Sequence, residues 1–338
     1  MFYFLLSWNG FVIPYLFAAF FSVLSNCLCV FFVQRGLIVL EGDQIIMDVF
    51  LHNNIIQLFL FAVLFSVQKI QGKVRFRIRD TFKGKKEMIQ FLLFAFPVVA
   101  SIYKTYLLGF IQVTTITICS MVVPFTVWVL AIFLLHEKFR PAYAKYGLLA
   151  LVGFVFVNMQ KLANGSISFG YIHYLLSYIL VVSFGQITAR YYCKIRDHSL
   201  QAILAELLIF FIYAVVFLTL RQTFSLNLLL NPYVWCVATC CFLRNVLVIS
   251  GVRKATSVVA LEFCGFSKPI FACVIMFILV GELPTQMKVI GMIIIGVAIV
   301  RFHALERKYK RERKAIGQKL FDEKTIEKVQ SQKENGSL

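Results

Sequence analysis

Apolar residues in this chain fall in long unbroken blocks rather than at every third or fourth position. Residues 11–33 contain no Asp, Glu, Lys, Arg or His. A helix of that length, rising about 1.5 Å per residue, crosses a hydrocarbon core about 30 Å thick. Similar blocks recur, and the pattern predicts spans near 11–33, 45–67, 88–110, 112–135, 142–159, 171–192, 200–220, 232–251, 256–280 and 284–303. The expected fold is all-α and integral to a membrane, with ten transmembrane helices. Very little chain joins the third span to the fourth, or the eighth to the ninth. Tight turns or helix breaks are expected there, shielded from lipid by protein or by a water-filled cavity.

Composition agrees with a lipid surrounding. The chain is 60% hydrophobic, with a mean hydropathy of +0.82 and 15% charged residues, against about a quarter charged in soluble domains. The net charge of +18 suggests nucleic acid until its distribution is considered. Basic residues crowd into 69–86 (Lys69, Lys73, Arg75, Arg77, Arg79, Lys83, Lys85 and Lys86) and into the tail after Arg301. Both segments flank apolar spans, where positive charge sets topology and meets anionic lipid headgroups. Lys138, Arg140 and Lys145 follow the fourth span, Lys194 and Arg196 the sixth, and Arg253 and Lys254 the eighth. The alternate loops offer only Arg35, Lys161, Arg221 and Lys288. Ten crossings with both termini cytoplasmic put every basic-rich loop on one side; nine or eleven do not. The expected partners are a bilayer and a small solute, not nucleic acid. The tail, 304–338, reads as a basic, solvated cytoplasmic helix with a frayed polar end.

Nine cysteines, at 27, 29, 119, 193, 236, 240, 241, 264 and 273, lie within apolar spans or, for Cys193, at the end of one. No C-x-x-C pair occurs, so neither a zinc site nor a disulfide framework is expected, and no cofactor is implied. The first basic residue is Arg35, beyond the first apolar block. The positive n-region of a cleavable signal is missing, and that block is expected to be retained. Asn164-Gly165-Ser166 and Asn335-Gly336-Ser337 match glycosylation sequons, a match short enough to arise by chance.

The chain also repeats itself. Residues 109–158 (GFIQVTTITICSMVVPFTVWVLAIFLLHEKFRPAYAKYGLLALVGFVFVN) and 251–301 (GVRKATSVVALEFCGFSKPIFACVIMFILVGELPTQMKVIGMIIIGVAIVR) share an order of features. Each has a glycine, a Thr/Ser-rich start, a mid-span proline (Pro124, Pro269), and then a glutamate (Glu137, Glu282). A short polar turn leads to paired glycines, Gly147 and Gly153 or Gly291 and Gly296. Five helices per copy is an odd number, so successive copies must lie in opposite orientations. Inverted repeats recur in transporters because exchanging the conformations of the halves moves the opening of a central site from one face to the other.

These residues resemble the drug/metabolite transporter superfamily, in particular its ten-helix EamA-type members. Pro124, Glu137, Gly147 and Gly153 look like that family's helix-four proline, loop glutamate and helix-five glycines, and Pro269, Glu282, Gly291 and Gly296 are similar. The resemblance divides the chain into a first repeat at 1–159, a linker at 160–170, a second repeat at 171–303 and the tail. It implies a central substrate site and alternating access. The chain also resembles the S-adenosylmethionine carriers of intracellular bacteria, in its helix count, Phe- and Cys-rich spans and basic tail. That implies a multi-pass protein of a bacterial cell membrane, exchanging S-adenosylmethionine for S-adenosylhomocysteine. Another anionic or zwitterionic metabolite, such as a nucleotide sugar or an amino acid, is the alternative.

Charge at membrane depth needs a reason, since it costs on the order of 3 kcal/mol or more. Lys104, Arg244, Glu262 and Lys268 all fall inside spans, with Glu206 placed nearer the cytoplasmic end of the seventh. Lys104 and Arg244, counterparts by repeat, suit a carboxylate or phosphate, and Arg is able to grip it in bidentate fashion. Glu262 suits an ammonium. The alternative is internal pairing, such as Arg244 with Glu262. Lys268 precedes Pro269, where helical geometry is disfavoured and a break can expose carbonyls. Tyr103 and Tyr106 flank Lys104 and either stack on a planar base or cation or simply pack. Gln186 and Asn245 are mid-span amides in need of a partner, a neighbouring helix or a ligand. A membrane-embedded transferase is disfavoured. No H-E-x-x-H, P-loop or G-x-S-x-G motif occurs, and His52, His136, His173, His198 and His303 are scattered.

Overall fold

The computed structural model describes residues 12–39, 46–72, 84–93, 95–107, 116, 120, 122–136, 141–163, 171–195, 199–221, 225–254, 258–281 and 283–335. Among the described residues there is helix and connecting turn but no strand. In chain order the helices are α1 (Val12–Gln34), α2 (Ile46–Ile70), α3 (Lys85–Leu93), α4 (Ala95–Leu107), α5 (Val123–Leu135), α6 (Pro141–Ala163) and α7 (Ile172–Ile195). They continue as α8 (Ser199–Arg221), α9 (Leu226–Leu230), α10 (Pro232–Lys254), α11 (Val258–Gly265), α12 (Lys268–Val280) and α13 (Gln286–Asn335).

Among the described residues, seven segments are long and apolar enough to cross a membrane: Pro14–Gln34, Leu51–Ile70, Pro141–Met159, Ile172–Tyr191, Pro232–Ile249, Glu262–Val280 and Gln286–Tyr309. The chain is thus a multi-pass, all-helical membrane protein. Where the fourth and seventh spans were expected, the described apolar stretches are shorter: Val123–Leu135, and Ile203–Val216 within α8. The described residues of the expected third span lie in α3 and α4, with Phe94 between them outside the described residues. The tail is continuous with the last span, because α13 runs from Gln286 to Asn335. Nothing in LERKYKRERK interrupts a helix, and Lys, Arg, Glu and Leu all favour one. Glu137, Glu282 and the sequon at Asn164 lie outside the described residues.

Prolines mark where helices begin. Pro141 and Pro232 open α6 and α10, and Pro124 and Pro269 lie in the first turns of α5 and α12. Proline's fixed φ suits a first turn, where its missing N–H costs nothing. The two helices of the sequence repeat are structural twins. Each has 13 residues, begins after a residue in right-handed helical geometry, and ends on a left-handed cap. That cap is His136 (φ 52°) after α5 and Gly281 (φ 76°) after α12. The break before α12 is a turn at Phe266–Ser267. Its freed groups are re-used locally: Ser267 N–H donates to Cys264 O at 3.1 Å and Ser267 Oγ donates to the same oxygen at 2.6 Å.

The helices pack in a definite pattern. α6 lies along α13, α1 along α10 and α12, α7 along α4 and α5, α2 along α8, and α5 against α11. Gly153 and Gly291 meet where α6 crosses α13: a methyl added at Gly153 would stand 2.8 Å from Gly291 O. Near the basic end of the same pair, Tyr143 OH donates to Glu306, and both residues are buried. At the other end of the molecule, His52 Nδ1 donates to Asp48 O (2.7 Å) and His52 Nε2 accepts Ser225 N–H (3.1 Å). One neutral tautomer satisfies both contacts. Asn231 Nδ2 donates to Leu37 O at 2.9 Å, so side-chain hydrogen bonds tie α2 to the start of α9 and the residues after α1 to the start of α10.

Candidate functional site

The mid-span charges converge. Lys104 comes from α4, Glu206 from α8, Arg244 from α10, Glu262 from α11 and Lys268 from the first residue of α12. Arg244 Nη2 stands 4.0 Å from Glu206 Oε1, with the two side chains 28% and 13% exposed. Lys104 lies within electrostatic range of both Lys268 and Arg244, and Lys268 within range of Glu262 and Arg244. Tyr15 on α1 is in range of Glu262 and Arg244. Among the described residues of this cluster three cations therefore face two carboxylates, one positive charge in excess.

Arg244 is held by an amide network. Its Nε and Nη2 both donate to Asn245 Oδ1, at 2.9 and 2.6 Å. Asn245 Nδ2 donates to Gln57 Oε1 at 3.0 Å. Gln57 Nε2 in turn donates to Asn53 Oδ1 (2.5 Å) and Asn54 Oδ1 (3.0 Å), and Asn53 Nδ2 reaches Cys241 Sγ at 3.8 Å. Asn53, Asn54, Gln57 and Asn245 are all buried. Within a membrane each such group must find its partners inside the protein, and this chain of amides fixes the guanidinium against α2.

Solvent access differs among the charged groups. Lys268 is exposed and Lys104 half-buried, whereas Glu262 is 8% exposed. Charges from α10 and α11 act on Lys268. Glu262 Oε1 is buried without a hydrogen-bond partner among the described residues. A carboxylate oxygen in that condition calls for a cation, a proton or a ligand.

The other expected residues are placed as follows. Tyr103 OH shares a 2.8 Å hydrogen bond with Ser177 Oγ, tying α4 to α7. Tyr106 is 53% exposed and stacks on Tyr103, with ring centroids 6.4 Å apart. Gln186 is half-buried on α7. Sequence reasoning missed three members of the network, Asn53, Asn54 and Gln57, although the run His52-Asn53-Asn54-Ile55-Ile56-Gln57 interrupts an apolar block. It also set Glu206 nearer the interface and offered Glu262 as the partner of Arg244, whereas the ion pair is with Glu206.

An aromatic recess between α5, α6 and α11, lined by Phe125, Trp128, Tyr143 and Phe263 among others, contains none of these charges. Among the described residues no group of three His, Cys, Asp or Glu is placed to hold a metal ion. Among the described residues, the seven cysteines whose side chains are described form no disulfide.

No protein-family model matches the chain, and no curated protein does. It is similar to the crystal structure of a protein with which it shares 12% sequence identity. The TM-score is 0.66, over 89% of this chain and 98% of the other. At that identity the likeness is one of fold.

Proposed function

We propose that the protein is a secondary transporter. In this reading it moves a small metabolite bearing a carboxylate or phosphate across a bacterial cell membrane by alternating access between two inverted five-helix halves. The observation that carries it is the cluster of Lys104, Arg244 and Lys268 against Glu206 and Glu262. Its unmatched positive charge is carried by apolar helices drawn from both halves of the chain, with Arg244 in the middle of α10, Lys104 in the last turn of α4 and Lys268 at the start of α12. Burying a charge that nothing neutralises is costly, and a substrate anion removes that cost whenever it is bound.

Helix packing supports the inverted repeat. A two-fold that exchanges the halves turns the α1–α10 contact into α7–α4, and α1–α12 into α7–α5; both members of each pair occur. The contacts α2–α8 and α6–α13 map onto themselves, as contacts across such an axis must. The twin helices α5 and α12, with Pro124 and Pro269 at matching places, point the same way. Together with the basic loops, this reading gives ten crossings and cytoplasmic termini.

Arg244, Lys104 and Lys268 take the anionic group, and Glu262 takes an ammonium or other cationic group where the substrate has one. Tyr106, with its exposed ring, is available to stack on a base. Gln186 and Asn245 complete the polar lining, Asn245 by orienting Arg244. S-adenosylmethionine offers a carboxylate, an amine, a sulfonium and an adenine, and so addresses every one of these groups. A nucleotide sugar or an amino acid addresses fewer of them.

The test is thermal unfolding of the purified protein with S-adenosylmethionine, UDP-glucose or glutamate. A ligand that binds the folded form at 100 times its Kd adds about 2.7 kcal/mol to its stability. The expected result is a raised midpoint for at least one of the three in wild type, and none in Arg244→Ala. Equal stabilisation of the variant would take the substrate site away from this cluster.

A further inference from the structure

We propose that the segment Ser225–Asn231, which holds the short helix α9, is the outer latch of the transporter; this rests on the transport reading and its two halves. The segment belongs to the second half, yet it grips the first. Ser225 N–H donates to His52 Nε2 on α2 at 3.1 Å, and Asn231 Nδ2 donates to Leu37 O, just after α1, at 2.9 Å. Between them Leu228 is 1% exposed, in a buried cluster with Cys29 of α1, Val49 and Ile56 of α2, and Val234 of α10. Phe32 of α1 meets Tyr233 of α10 with ring centroids 4.9 Å apart. The chain from Ser225 to Tyr233 therefore bridges the halves at the end of the molecule where α1 stops and α10 starts. In the ten-crossing reading that end faces out of the cell.

The segment is also built into its own half. Ser225 Oγ accepts Leu228 N–H (3.4 Å), Trp235 Nε1 donates to Leu229 O (2.8 Å), and Asn231 Oδ1 accepts Tyr233 N–H (2.8 Å). Asn231 thus commits one end of its amide to α10 and the other to the first half.

The bond from Asn231 to the first half is of a kind that can be broken and remade. Leu37 is 36% exposed, so water can replace Asn231 on its carbonyl with little net change in hydrogen bonding. At the α6–α13 crossing, by contrast, backbone lies against backbone through Gly153 and Gly291, and parting them would open a void. When the halves rock, the latched end is the one that parts. A central site reached from both faces needs its outer end opened once per cycle, and α9 is what holds that end shut.

The experiment uses the full chain in proteoliposomes, with Leu37→Cys and Asn231→Cys joined by a bis-methanethiosulfonate of one-carbon span and released by dithiothreitol. Labelled S-adenosylmethionine, UDP-glucose and glutamate are tested in turn for counterflow, with each single variant given the same reagent as control. The probe that the wild type exchanges is expected to stop exchanging when the pair is linked, and to resume on reduction. The linked protein is expected still to bind that probe, read as a raised unfolding midpoint, because the other face stays open. Undiminished exchange by the linked protein overturns the latch alone, as does loss of binding together with exchange.

A second measurement needs no link. Leu228→Cys is expected to react slowly with an impermeant thiol reagent from outside, read at that cysteine by peptide mass. Adding Asn231→Ala, which removes one net hydrogen bond from the latch, should speed the reaction about fivefold; an unchanged rate overturns the assignment as well. Absence of counterflow for all three probes in the wild type removes the transport reading, and this inference with it.

Discussion

Replacing Gly291 with alanine should force α6 and α13 apart, while the same change at Gly296 should not. A Cβ at Gly291 would overlap Gly153 O and stand 2.7 Å from both Val157 Cγ2 and Val157 N. Carbon makes ordinary contact at about 3.5–4.0 Å, so α6 and α13 must move apart by roughly 1 Å. Two of the three obstacles are backbone, which no change of rotamer can clear. Overpacking of this kind costs about 1–3 kcal/mol, and alanine's better helix propensity returns about 1 kcal/mol at most. At Gly296 a Cβ meets nothing within 4 Å, so only the propensity gain remains. The two variants should thus differ by about 1–3 kcal/mol, taking the overpacking cost as the difference. Gly153→Ala, with obstacles at 2.8, 2.9 and 3.0 Å, should resemble Gly291→Ala. The double variant should cost less than the sum, because both methyls open the same contact. Unfolding in a graded series of denaturing detergent measures all four proteins. Gly291→Ala proving as stable as Gly296→Ala would refute the reasoning.

Three further outcomes follow from local chemistry. Asn245→Leu removes the acceptor of two Arg244 hydrogen bonds and strands Gln57 Oε1, so folding stability should fall by about 2–4 kcal/mol; a loss under 1 kcal/mol in chemical unfolding would show the network to be idle. His136→Gly should raise stability by up to about 1 kcal/mol, because His136 holds a left-handed φ of 52° that glycine takes freely; a lower unfolding midpoint would contradict this. Tags after residues 40 and 165 should react from outside the cell and tags after 80 and 330 from inside, as the basic loops dictate; finding 40 and 80 on one face would break the ten-crossing topology.

Much of the architecture was legible because lipid imposes a simple rule. A block such as 11–33 without charge has few alternatives to a spanning helix, and α1 follows it closely at Val12–Gln34. The repeat was equally plain around its prolines, and α5 and α12 are matched in length and in both ends. The glycines were harder. The repeat pairs four of them alike, yet Gly153 and Gly291 meet each other, Gly147 faces Phe125, and Gly296 faces open space. Spacing along a helix shows which residues share a face, but not which face a partner will cover.

The polar interior was read in part. Lys104, Arg244, Glu262 and Lys268 were conspicuous as charges in apolar surroundings, and they do gather. Glu206 was set near the interface by its distance from the start of its span. Its contact with Arg244 depends on how α8 leans on α10, which no one-dimensional pattern contains. Asn53, Asn54 and Gln57 were overlooked because the apolar residues after them keep the window hydrophobic: Leu51–Ile70 still averages 1.4 in hydropathy. Uncharged amides at depth are as much a mark of an internal network as charges are, since they too must be satisfied without water.

The proposed alternating access is tested most directly at Lys268, which is exposed and lies within range of charges on α4, α10 and α11. A single cysteine placed there in a cysteine-free chain should be labelled by an impermeant thiol reagent from the outside in right-side-out vesicles and from the inside in inverted ones. A ligand found to stabilise the protein should slow both reactions. Labelling from one side only, or at rates that bound ligand leaves unchanged, would contradict a central site visited from both faces.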